Sequence, residues 1–175
     1  QYLIDKCEVE MIINVGVAGC LTESLTFGDV VVATDLVQHD VNVLAFGIPI
    51  GQIPRMDVFS FVSHADLLAC AMTVKPDNFL LLSGRIVSGD QFIDDSDKAK
   101  YLAQEFGALA CEMEGAAVAH TCYVNSTPFV VIRAISDLAG REDKFAIHSF
   151  DELKIMVADR SSYIVKQMLL SKLFS

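Results

Sequence analysis

Two carboxylates flank a methionine in Cys111-Glu112-Met113-Glu114-Gly115-Ala116-Ala117, at a point where an apolar run gives way to small residues. Acids at such a strand-to-helix junction can do proton chemistry or bind a ligand; they can also simply pair with the positive end of a helix. Position favours chemistry, because ligands of open α/β sheets bind beyond the carboxyl ends of the strands. Asp137 has the same address, following Ser136 at the close of the apolar run Phe129–Ile135. Arg133 is a lone charge inside that run. A buried unpaired charge is costly, so Arg133 needs a partner, and both Glu112 and Glu114 are candidates. Gly16-Val17-Ala18-Gly19 follows the apolar run Met11–Val15 and reads as a tight loop that lets a ligand approach the backbone. It lacks the GxGxxG spacing and the following helix of a dinucleotide fingerprint.

Other chemistries find little support. The four histidines (His39, His64, His120, His148) are scattered without metal-ligand spacing, so no metal and no cofactor is expected. Neither a GxSxG elbow nor a phosphate-binding P-loop occurs. Five cysteines make an odd number with no CxxC pair, several inside apolar runs, which suits a reducing, cytoplasmic compartment. The first residues lack the basic-then-apolar order of a secretory leader.

These residues must be positioned by alternating strands and helices. Met11–Val15 reads as a buried strand, Val30–Val43 as a β-rich run and Phe79–Val87 as a third strand. Ala108–Met113 and Phe129–Ile135 are the remaining strands. The spacing of Phe61, Ala65, Leu68 and Met72 predicts a helix over Asp57–Val74. Ser96–Phe106 is a second helix, closed by Gly107; Gly115–Tyr123 is a third, and Phe150–Leu173 the last. Strands that are apolar without a two-residue rhythm belong to a sheet covered on both faces, giving an α/β fold of three layers. Ala45–Arg55 is a loop with two Pro and two Gly, yet it carries Phe46, Ile48, Ile50 and Ile53, so it should cover a core edge, a ligand or a partner.

The chain's 175 residues suit one domain, 1–175, with no repeat or linker, and its 53% hydrophobic content argues against disorder. A net charge of −10 disfavours nucleic acid, and the apolar runs are too short to span a bilayer. Gln1–Glu10 reads as the tail of a helix entering a strand, so the domain is expected to be truncated at its N-terminus.

Five segments occur together in order: Ile13-Asn14-Val15-Gly16-Val17-Ala18-Gly19, Gly28-Asp29-Val30-Val31, Val87-Ser88-Gly89-Asp90-Gln91-Phe92-Ile93, Glu112-Met113-Glu114 and Arg133-Ala134-Ile135-Ser136-Asp137. As a set they resemble the 5′-methylthioadenosine/S-adenosylhomocysteine nucleosidases of the nucleoside phosphorylase superfamily. The resemblance implies a three-layer nucleoside-phosphorylase-like fold, with a central mixed sheet flanked by helices and the N-terminal strand missing. It also implies hydrolysis of an adenine N-glycosidic bond, releasing adenine and the 5′-thioribose product.

By that resemblance Asp137 would protonate purine N7, oriented by Ser136. An acid in that role must still carry its proton when the substrate is bound, a state that desolvation favours. Glu114 would hold the ribose hydroxyls, Met113 would pack on the sugar and Arg133 would help place the attacking water. Phe92 would stack on adenine, and the Ile93 backbone would meet the purine edge. Ala18, Gly19 and Glu112 would complete the substrate site. Phe46, Ile48 and Pro54, in loop 45–55, would reach a neighbouring subunit's pocket in a homodimer, and Phe150 would close over the alkylthio group.

There are departures. The family's second catalytic Glu lies on the first βα loop, upstream of this chain's start, and without it hydrolysis should be impaired. Val17 stands where many members have Ser, and the stretch Leu138–His148 is slightly longer than usual. A purine nucleoside phosphorylase is the nearest rival, but it needs cations for phosphate, and related phosphorylases carry Arg where Asn14 stands here. Futalosine hydrolase and a catalytically dead homologue that only binds nucleoside remain open.

Overall fold

The structure is a computed structural model and describes residues 1–140 and 150–171. Among these residues, six strands form one mixed sheet: β1 (Ile12–Cys20), β2 (Val30–Gln38), β3 (Phe61–Val62), β4 (Leu81–Ser88), β5 (Ala110–Glu112) and β6 (Phe129–Leu138). Five helices accompany them: α1 (Tyr2–Cys7), α2 (Ala65–Met72), α3 (Ser96–Phe106), α4 (Gly115–Val124) and α5 (Phe150–Leu170). The strand order is β3-β2-β4-β5-β1-β6, with a further pairing of β2 to β6 that brings the curled sheet back on itself. The β2–β4, β4–β5 and β1–β6 pairs are parallel, whereas β1–β5, β2–β3 and β2–β6 are antiparallel.

Alternation explains the continuous apolar runs. On β2, Val31 and Ala33 pack with Ala116, Ala119 and Cys122 of α4, while Val30 and Val32 pack with Leu67 and Ala71 of α2 and Ile164 and Met168 of α5. Each strand thus meets helices on both faces and needs an apolar residue at nearly every position. A third cluster seats Leu102 and Phe106 of α3 on Val37 and Val87 near the ends of β2 and β4.

Helix α3 has the bounds expected, because its signals are local. The Asp95 side chain accepts the Lys98 N–H, and Gly107 ends the helix in the left-handed region at φ 62°. Two expectations change. Gly16–Gly19 is not a loop: β1 continues through it to Cys20. The helix expected over Asp57–Val74 is only α2, since Phe61 and Val62 instead pair with Leu36 and Asp35 as a short strand. Phe61 is buried by that pairing, so its apolar spacing records a strand edge rather than a helix face.

Ile132 is fully buried in β6, among α2 and α5 side chains. Ile132→Ala should cost about 2–5 kcal/mol through lost burial and the cavity left behind, read from the urea midpoint of unfolding at unchanged slope.

Candidate active site

The carboxyl ends of the parallel strands gather the residues singled out in the sequence. Gly19, Phe92, Ile93, Glu112, Met113 and Asp137 line one pocket, together with Gln91 and Cys111. Ser136 stands behind Asp137, its hydroxyl donating to Oδ1 at 2.8 Å, with the Ala18 carbonyl at 3.4 Å. Ala18 itself is buried, and Met113 and Glu114 are exposed at the pocket's edge. Phe46, Ile48 and Pro54 do not line this pocket; Phe46 is 82% exposed. The side chain of Phe150 and residues 141–148 of the long Leu138–His148 stretch lie outside the described residues.

Register sets the spacing of Arg133 and Asp137. In the parallel β1–β6 ladder Gly16 lies opposite Arg133 and Ala18 opposite Ile135, but Gly19 lies opposite Asp137. Ser136 is the extra residue of a bulge, a device that re-aims the side chain after it. Both glycines make room for what faces them. A Cβ on Gly16 would lie 3.0 Å from Arg133 Nη1, and one on Gly19 would lie 3.0 Å from Asp137 Oδ2 and 3.3 Å from Cys111 Sγ.

Beneath the pocket runs a buried polar network. Arg133 donates from Nε to Glu112 Oε2 at 3.0 Å and from Nη2 to the same oxygen at 2.5 Å. Nη2 also reaches Asn14 Oδ1 at 2.6 Å, whereas Nη1 makes only a 3.3 Å contact with the Ile132 carbonyl. Glu112 accepts further bonds from the Ser88 hydroxyl, from Gly115 N–H at 3.0 and 2.8 Å, and from Glu114 N–H at 3.2 Å. Ser88 in turn accepts the Ala116 N–H at 2.7 Å. The open choice of partner for Arg133 therefore resolves to Glu112. The Glu112 oxygens are taken up by protein donors, so this residue lines the pocket as a positioning group and holds the first turn of α4, beside Glu114.

Three participants were given no role in the site from the sequence, although all lie within the segments quoted there: Asn14, Ser88 and Cys111. Each sits on a strand approaching the carboxyl end of the sheet, which is the cue that could have found them. The Cys111 thiol is pushed up to about 12, chiefly by burial and further by the Asp137 and Glu112 carboxylates, so it faces Asp137 as a neutral wall.

Comparison with known proteins shows the family and the fold. The model of the phosphorylase superfamily matches residues 1–170. The 5′-methylthioadenosine/S-adenosylhomocysteine nucleosidase of Treponema pallidum is 38% identical over 97% of this chain and 71% of its own length. A nucleosidase of the same name from Colwellia psychrerythraea, solved in complex with adenine, superposes with a TM-score of 0.87 at 39% identity, covering 96% of this chain and 69% of that one. Futalosine hydrolase of Helicobacter pylori superposes with a TM-score of 0.86 at 38% identity, covering 96% and 71%.

Removing one partner of the Arg133–Glu112 pair strands the other charge in the interior of the sheet. Glu112→Ala and Arg133→Ala should each cost about 3–5 kcal/mol, while the double variant should cost clearly less than their sum. A double-mutant cycle by chemical denaturation checks this.

Proposed function

This chain belongs to the 5′-methylthioadenosine/S-adenosylhomocysteine nucleosidase family of the phosphorylase superfamily, and from that premise we propose that it hydrolyses the N-glycosidic bond of those two nucleosides, releasing adenine and the 5′-thioribose product. It is a nucleoside N-glycosyl hydrolase, and no helix among its described residues is long and apolar enough to cross a membrane.

The observation that carries the reading is the place of Asp137, re-aimed by the Ser136 bulge into the pocket that Phe92 and Ile93 line. Hydrolysis at the anomeric carbon passes through an oxocarbenium-like sugar, and adenine leaves readily only if it gains a proton. Asp137 would give that proton to N7, with Ser136 fixing the carboxyl's orientation. Phe92 would stack on the base and the Ile93 backbone would meet its edge. Glu114 at the start of α4 would take the ribose hydroxyls, a contact that strengthens as positive charge develops on the sugar. Met113 would pack on the ribose, and Ala18 and Gly19 would let it approach the β1 backbone. Arg133 Nη1, beneath Gly16, would help place the water.

Water rather than phosphate suits this site. Among the described residues lining the pocket there is no Lys or Arg, and Arg133 is neutralised by Glu112. Phosphate recognition needs cationic or densely donating groups. Futalosine hydrolysis is the second reading, favoured by the similar superposition with a futalosine hydrolase, and assay of both substrates separates the two.

We further propose a homodimer in which loop 45–55, with Phe46, Ile48 and Pro54, covers the partner's pocket, and a cytoplasmic location consistent with five free cysteines. The apolar, 82% exposed Phe46 supports the first. Sedimentation should show a dimer at micromolar protein that Phe46→Asp weakens; a monomer throughout would overturn it. For the chemistry, Asp137→Asn should lower the rate of adenine release by about 10²–10⁴-fold while leaving nucleoside affinity largely intact. Turnover close to that of the unaltered enzyme would remove Asp137 from the acid role.

A further inference from the structure

One buried titratable group near the pocket has no part in the chemistry above. His39 directly follows β2, its backbone N–H donates to the Ser88 carbonyl at 2.9 Å, and it is 2% exposed. Neither ring nitrogen has a hydrogen-bond partner among the described residues. Burying polar nitrogens without partners is costly, and a hydrocarbon ring would fill the same space without that cost. Packing alone therefore does not account for an imidazole here.

The ring lies against the turn that leads into the pocket wall. A Cβ on Gly89 would lie 2.5 Å from His39 Nε2, 2.6 Å from Cε1 and 2.9 Å from Asp40 Cγ, so only glycine lets the turn settle on this His-Asp pair. Asp40 holds the next residue, its Oδ2 accepting the Asp90 N–H at 2.8 Å. Gly89 N–H donates to the Glu112 carbonyl at 3.1 Å. The turn is thus gripped between the ends of β2 and β5, and Phe92 and Ile93 follow it.

We propose that His39 is a proton switch on the purine subsite. The neutral ring leaves Asp40 free to hold the Asp90 amide; the protonated ring draws Asp40 to itself and releases the turn that sets Phe92 and Ile93. The inference rests on the reading of those two residues as the purine wall. The charged groups facing the ring are Asp40 on its own segment, Lys98 from α3 and Glu112 from β5. Burial is the largest influence and lowers the imidazole's pKa; Asp40 opposes it, Lys98 reinforces it and Glu112 opposes it. The folded protein therefore binds this proton less readily than the unfolded chain. Stability linked to His39 is complete above the ordinary histidine value of about 6.5 and is lost as pH falls from there towards the folded-state value. Release of the turn sets in as pH falls through the folded-state midpoint, at the lower end of that window.

The test follows the His39 ring and a labelled Ile93 methyl by NMR between about pH 8 and pH 5, and measures adenine affinity over the same range. The Ile93 methyl should move with the His39 midpoint, and below that midpoint affinity should fall by up to about tenfold per pH unit, the limit for one linked proton. His39→Phe, which fills the space without a proton, should keep the neutral-pH affinity and lose this acid limb. An Ile93 methyl that stays still while His39 titrates would overturn the proposal, and so would an unchanged acid limb in His39→Phe. If adenine fails to bind at any pH, the purine reading fails, and the methyl titration in the unaltered protein still decides the switch.

Discussion

The buried ion pair between Arg133 and Glu112 is the constraint on which the rest of the site depends. Both side chains are 2% exposed, and two charges out of water are tolerable only if their remaining donors and acceptors are matched. Asn14, Ser88 and the first N–H groups of α4 supply those matches. Satisfying one pair of charges therefore ties β1, β4, β5, β6 and α4 to a common centre directly under the pocket. The same carboxylate that neutralises Arg133 also sits at the positive end of α4, so helix and guanidinium stabilise it together. Glu114 inherits its place from this arrangement, because its own backbone N–H is one of the donors Glu112 accepts.

The second requirement is space. Parallel strands bring side chains on neighbouring positions close together, and two large polar groups from β6 must stand over β1. Gly16 and Gly19 leave room for them, and the Ser136 bulge reconciles a three-residue glycine spacing with a four-residue spacing of Arg133 and Asp137. The result is a pocket whose floor is charged but internally neutralised and whose wall includes a thiol held in its neutral form. Such a site can transfer a proton and stabilise developing positive charge on a sugar, while offering little to an incoming dianion.

What was legible in the sequence was local. Helix α3 is bounded by Asp95 and Gly107, both of which act within one turn, so its limits could be read directly. The acids at strand ends were legible because strand-to-helix junctions have a fixed relation to the sheet. Gly16–Gly19 misled because glycines usually mark turns, whereas here they answer side chains from a strand more than a hundred positions away. Phe61 misled because a single apolar position fits both a helix face and a strand edge, and its pairing with Leu36 decides between them. The partner of Arg133 and the return of β2 onto β6 depend on the closed sheet, which no short-range pattern encodes. His39 was invisible for a related reason: a lone histidine has no motif, and its burial comes from Gly89 on another strand's end.

The central claim is that a neutralised arginine and a re-aimed aspartate make this a site for water. It is tested most directly by measuring free adenine released from methylthioadenosine in phosphate-free buffer and again with phosphate added. The chain spans about 70% of the length of the relatives it matches, so a full-length relative assayed alongside supplies the reference rate. Release at the same rate in both buffers, with ribose product bearing no phosphate, is the expected result. Release that appears only with phosphate would contradict the claim and make the pocket that of a phosphorylase.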